Sequence, residues 1–151
     1  MNFTKWSAVA SAILAAVAFT ACDDSSSASS DDNKTSYDCS VTDGVKVVYP
    51  AGGESFKMGD TITVVYGSDV QGSGYHFYFK TSEDAEPRDM LDGSAGPETP
   101  DGKTCYEQKV ALTEDFLPDD VEFPIEKAVI RVAPYEKTSK GANSGSFKVS
   151  E

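Results

Sequence analysis

The sequence holds one histidine, His76, and only three cysteines among its 151 residues. A single imidazole is a poor start for general acid–base chemistry, which needs a positioned partner, and no sequence neighbour of His76 marks one. No Gly-x-Ser-x-Gly elbow occurs, and the densest run of serines falls in residues 25–30, among aspartates, so a nucleophilic triad has no seat. Basic residues are scarce: Lys and Arg number 13 against 25 Asp and Glu, a net charge of −12. That balance repels nucleic acid, so no nucleic-acid partner is expected, while cations and basic partners are attracted. Carboxylates are so numerous that any pair chosen for glycoside hydrolysis would be arbitrary. Asp84, Glu86, Asp89, Asp92, Glu98 and Asp101 crowd one glycine-bearing stretch with the hard oxygen donors calcium prefers, yet no Asp-x-Asp-x-Asp-Gly run is present. The expectation is a non-enzyme with no catalytic residue, no metal ligand and no cofactor.

Long apolar runs are also missing. The best, Ala8 to Phe19, is too short to cross a hydrocarbon core of roughly 30 Å, and suits the apolar region of an export signal, with Lys5 ahead of it. It ends in Phe19-Thr20-Ala21-Cys22, which resembles a bacterial lipobox, with Phe19 where leucine is usual. The resemblance implies that residues 1–21 are a cleaved signal peptide and that Cys22 becomes the acylated first residue, carrying a diacylglyceryl thioether and palmitate-type chains. The membrane is then a partner through the N-terminal lipid, and the location is the bacterial cell envelope, facing the periplasm or the surface. The alternative is an ordinary signal cut after Ala21, with Cys22 a plain thiol. Acylation explains an odd cysteine in an exported chain and leaves Cys39 and Cys105 as an even pair. An oxidising compartment favours a disulfide between them, worth roughly 4 kcal/mol for a loop of this length; two separate buried thiols are the alternative.

Residues 22–43 read as a tether. Asp23 to Asp32 is almost wholly Ser and Asp, too polar to offset its ordering entropy by burial, and self-repelling. Residues 44–151 read as one domain. Val45, Val47 and Tyr49 alternate with polar or outward residues; so do Ile62, Val64 and Tyr66, then Tyr75, Phe77 and Phe79. Tyr106 to Leu112 is a weaker strand, Ala128, Ile130 and Val132 a clear one, and Phe147 and Val149 close the chain. The stretch from Thr81 to Lys103 reads as a loop with a short edge strand near Asp89 to Leu91, and Thr113 to Leu117 as a single helical turn before Pro118. About seven short strands separated by turn signals predict an all-β, two-sheet β-sandwich.

Val47-Val48-Tyr49-Pro50-Ala51-Gly52-Gly53-Glu54-Ser55-Phe56-Lys57-Met58-Gly59-Asp60-Thr61-Ile62-Thr63-Val64-Val65-Tyr66 resembles the opening of the Ser-Thr-rich, GPI-anchored membrane protein family module, with Tyr66 where that family has Trp. Leu117-Pro118, then Ala128-Val129-Ile130-Arg131-Val132, then Gly145-Ser146-Phe147-Lys148-Val149 are similar to its later segments, so the likeness runs from Val45 to Val149. The stretch from Glu83 to Lys103 departs from it as an acidic insertion. The resemblance implies an immunoglobulin-like sandwich without catalytic residues, associated with an envelope or a polysaccharide. His76 and Tyr78 project from the strand face opposite the core aromatics, where they are candidates for stacking on a sugar ring. Two roles follow as expectations: a non-catalytic interaction or structural module that meets another envelope protein, or a glycan-binding accessory module.

Overall fold

The computed structural model describes residues 36–151. The expected signal peptide, the lipidation site Cys22 and most of the tether lie outside the described residues. The described chain is all-β, with nine strands: β1 (Val45–Tyr49), β2 (Ser55–Lys57), β3 (Thr61–Ser68), β4 (Tyr75–Lys80), β5 (Arg88–Asp89), β6 (Tyr106–Ala111), β7 (Ile125–Pro134), β8 (Ala142–Asn143) and β9 (Phe147–Ser150). Two short 3-10 turns, η1 (Glu114–Phe116) and η2 (Thr138–Lys140), sit between strands.

The strands form a β-sandwich. One sheet has the order β1-β3-β6; the other runs β2-β9-β7-β4-β5, with β8 also paired to β7. All pairings are antiparallel except β2 with β9. The alternating residues supply the core. Ile62, Val64 and Tyr66 of β3 face Tyr75, Phe77 and Phe79 of β4, Ile130 and Val132 of β7, and Phe147 and Val149 of β9, all essentially excluded from water. Each such large side chain contributes about 1.5–3 kcal/mol by leaving water. Tyr66 links the layers, its ring 5.6 Å from that of Tyr75, 5.5 Å from Phe77 and 5.9 Å from Tyr106. Burial, then the neighbouring tyrosines, hold its hydroxyl well above the usual phenol range, so it stays neutral.

The Pro-x-Gly-Gly-Glu segment makes the turn into β2. The Glu54 carboxylate accepts hydrogen bonds from the amides of Ala51 and Gly52 at 2.8 and 2.9 Å. Gly53 holds φ at +88°, a conformation that a side chain would strain. The closing segment packs onto this turn. A Cβ at Gly145 would lie 2.1 Å from the Ala51 carbonyl oxygen, so only glycine allows the approach. Phe56 then packs edge-on against Phe147, with ring centroids 5.3 Å apart, at the margin of the core.

Two details differ from the sequence reading. The strand count is nine because β2 and β8 are too short to show alternation: Ser55-Phe56-Lys57 has one apolar residue and Ala142-Asn143 has one. The folded unit also begins before residue 44. Cys39 is 1% exposed and bonded to Cys105, with Cα atoms 5.2 Å apart. The Val41 amide donates to the Gly102 carbonyl at 3.0 Å, and Tyr37 packs on Tyr49. The disulfide draws these otherwise polar residues onto the sheet.

Candidate functional site

Alternation in β4 turns His76, Tyr78 and Lys80 away from the core, and the pairing of β4 decides what surrounds them. On one side, β5 sets Asp89 opposite Tyr78; on the other, β7 sets Arg131 opposite Tyr78 and Ala133 opposite His76. The His76 and Tyr78 rings stack, with centroids 4.9 Å apart and planes 19° from parallel. Tyr135, just past the end of β7, meets the imidazole edge-on, with centroids 4.2 Å apart and planes at 66°. The imidazole Nδ1 is 2.7 Å from Asp89 Oδ2. This carboxylate partner comes from thirteen residues further along the chain, |i−j| = 13, and it ties the two-residue strand β5 to the sheet.

Arg131 is tied down by two hydrogen bonds. Its guanidinium donates to the Asn143 side-chain oxygen and to the Thr138 carbonyl, each at 3.2 Å. The Tyr78 hydroxyl is pushed above its ordinary range, first by burial, then by the negative charge of Asp89. The result is a half-exposed aromatic stack flanked by a carboxylate, a guanidinium and a carboxamide. Such a set can hydrogen-bond hydroxyl-rich ligands and offer ring surface to their C–H faces. It has the His–Asp half of a catalytic relay but brings no serine or cysteine hydroxyl or thiol into hydrogen bond with the imidazole among the described residues.

The acids considered for calcium do not converge. Among the described residues no three His, Cys, Asp or Glu side chains gather as a metal site. Asp89 is engaged by His76. Asp101 closes its own turn, accepting from the amides of Lys103 and Thr104 and from the Thr104 hydroxyl, which holds its carboxyl down at about 2.

Sequence reading puts His76 and Tyr78 on one face of the strand, where they stack, weighs Asp89 only as a calcium donor, and omits Arg131, Tyr135 and Asn143. The expected edge strand near Asp89 was the only signal that could have found the carboxylate. Cys39 and Cys105 are joined as expected, at the Ser68 end of β3, where the Cys39 carbonyl occupies the space over Gly67. Among the described residues no helix is long and apolar enough to cross a membrane. Compared with protein-family models, curated proteins and solved structures, the chain matches none.

Proposed function

We propose that this chain is a lipid-anchored protein of the bacterial cell envelope whose immunoglobulin-like sandwich is a non-catalytic interaction module. The observation that carries the reading is the pairing of Cys39 with Cys105, which leaves Cys22 as the odd cysteine of three, directly after a signal-like apolar run. Acylation uses that sulfur, and the several chains of a mature lipoprotein suffice for stable anchoring where one alone is marginal. The acidic residues that follow act as a charged leash between bilayer and domain. The half-exposed His76 ring, with Tyr78 and Tyr135 against it and Asp89 on Nδ1, supports a binding surface over a catalytic one. Mass spectrometry of the mature chain tests the anchor: the expected result is an N-terminal Cys22 carrying diacylglycerol, and an unmodified thiol there would remove it.

A second reading, glycan binding through the outer face of β4, is favoured by the His76–Tyr78 stack and its ring of polar side chains. Sedimentation with insoluble polysaccharides tests it. Retention that is lost in Tyr78→Ala supports it; no retention by the unaltered chain discards it.

A further inference from the structure

The sandwich is closed at the Thr61 end of β3 by the segment from Thr113 to Pro124. Here Leu117, Pro118, Val121 and Phe123 are half-buried and line a hollow of about 320 Å³, with Glu114 and Asp119 at its margin. Asp115, Asp120 and Glu122 are exposed on the same segment. Three surface carboxylates outside this segment pair with lysines: Asp38 with Lys46, Asp43 with Lys140 and Glu126 with Lys148. The acids of this segment form no such pair among the described residues. The adjoining hollow, across Pro118, is lined by one basic side chain, Arg88, together with the acid Glu86. Four apolar side chains are thus left partly open to water inside a rim of uncompensated negative charge.

The charge decides what can cover them. Residues 23–32 of the chain itself are serine, alanine and aspartate and would be repelled, and a second copy brings the same net −12. An occupant must be basic on its rim and apolar at its centre. We infer that this hollow docks a basic segment of a partner protein, placing leucine or phenylalanine among Leu117, Val121 and Phe123 and lysines or arginines against Glu114, Asp119, Asp120 and Glu122. The inference rests on the interaction-module reading and gives that module a partner chemistry. Rim charges of this kind steer association and set its salt dependence, while the apolar anchor sets residence time. The disulfide lies toward the other end of β3, where the Cys39 carbonyl covers Gly67, six residues along the strand from Thr61.

The test is fluorescence anisotropy of the mature chain in neutral detergent with a labelled peptide alternating lysine with leucine and phenylalanine. Saturable binding is expected, weakened about tenfold between about 0.05 M and about 0.5 M salt. The combined variant Asp119→Asn, Asp120→Asn, Glu122→Gln should weaken it about tenfold at the lower salt. Val121→Ser should weaken it without changing the salt slope. The control variant Glu83→Gln, Asp92→Asn, Glu98→Gln removes the same charge elsewhere and should bind normally. Equal losses in the two charge variants would reduce the effect to net charge and overturn the inference, as would absence of saturable binding by the unaltered chain. All the charge substitutions lie at exposed positions, so folding does not confuse the outcome. The state of Cys22 is measured separately by mass, so this inference can fail while the anchor stands.

Discussion

Tyr75, Phe77 and Phe79 on the inner face of β4 are shut away from solvent, whereas His76, Tyr78 and Lys80 on its outer face remain half-exposed. The two faces share a backbone and six consecutive residues, yet they are organised by different forces. The inner face is held by apolar area, which is non-directional and asks only that alternate residues be large and greasy. The outer face is held by particular contacts from β5 and the residue after β7: a carboxylate on the imidazole and a ring against its side. A pattern of period two specifies the first kind completely. The second kind depends on which strands become neighbours.

The sharpest way to separate the faces is to truncate each. Phe77→Ala removes a ring that is 0% exposed and should cost about 3–5 kcal/mol in chemical denaturation. Tyr78→Ala, one residue on, should cost only about 1 kcal/mol, mostly the lost stacking on His76. Near-equal losses would dissolve the distinction. Next in size, replacing both Cys39 and Cys105 by serine should lower stability by about 2–4 kcal/mol, and the denaturant midpoint of the oxidised chain should fall to the same value on reduction. A smaller effect is expected from Asp89→Asn, below about 1 kcal/mol globally, because the pair is partly exposed. Its signature should be local: faster amide exchange in β5 with the inner face of β4 still protected. The smallest effect concerns Asp101. Its carboxyl is held down from 3.8 to about 2 by hydrogen bonds from Thr104 and Lys103. A depressed folded value stabilises the fold above 3.8, and that contribution is lost as the pH falls through about 2. Asp101→Asn should therefore flatten the acid limb of the stability profile in that window and leave the neutral limb's slope unchanged.

Much of the architecture was legible before any coordinates. The aromatic and β-branched alternation in β3, β4 and β7 marks strands and their buried sides together, and the cysteine count points to the bond that joins Cys39 to Cys105. What escaped was either too short to carry a period or too distant in sequence. Strand β2 has one apolar residue and finds its place only by lying parallel to β9. Residues 36–43 look like tether because their composition is polar; a single covalent bond at Cys39 overrides composition. At the candidate site, the shared orientation of His76 and Tyr78 follows from alternation alone. Nothing local to His76 foretells that a loop of twenty-odd polar residues, bounded by Lys80 and Tyr106, will bend back to lay Asp89 beside it. The half-open apolar residues near Val121 were likewise hidden, because an isolated leucine, valine and phenylalanine among acids carry no period to say which side they face.

The bond between Cys39 and Cys105 also governs how the domain would bear a pull. Tension arriving from the N-terminal side reaches Cys39 first and crosses the sulfur bridge directly to Cys105, at the threshold of β6. Strands β1 to β5 lie inside the covalent loop and are never stretched end to end. A molecule tugged between its two termini could pay out only the chain outside the Cys39–Cys105 loop, so its extension on rupture would be far shorter than its length implies, and adding a reductant would lengthen it.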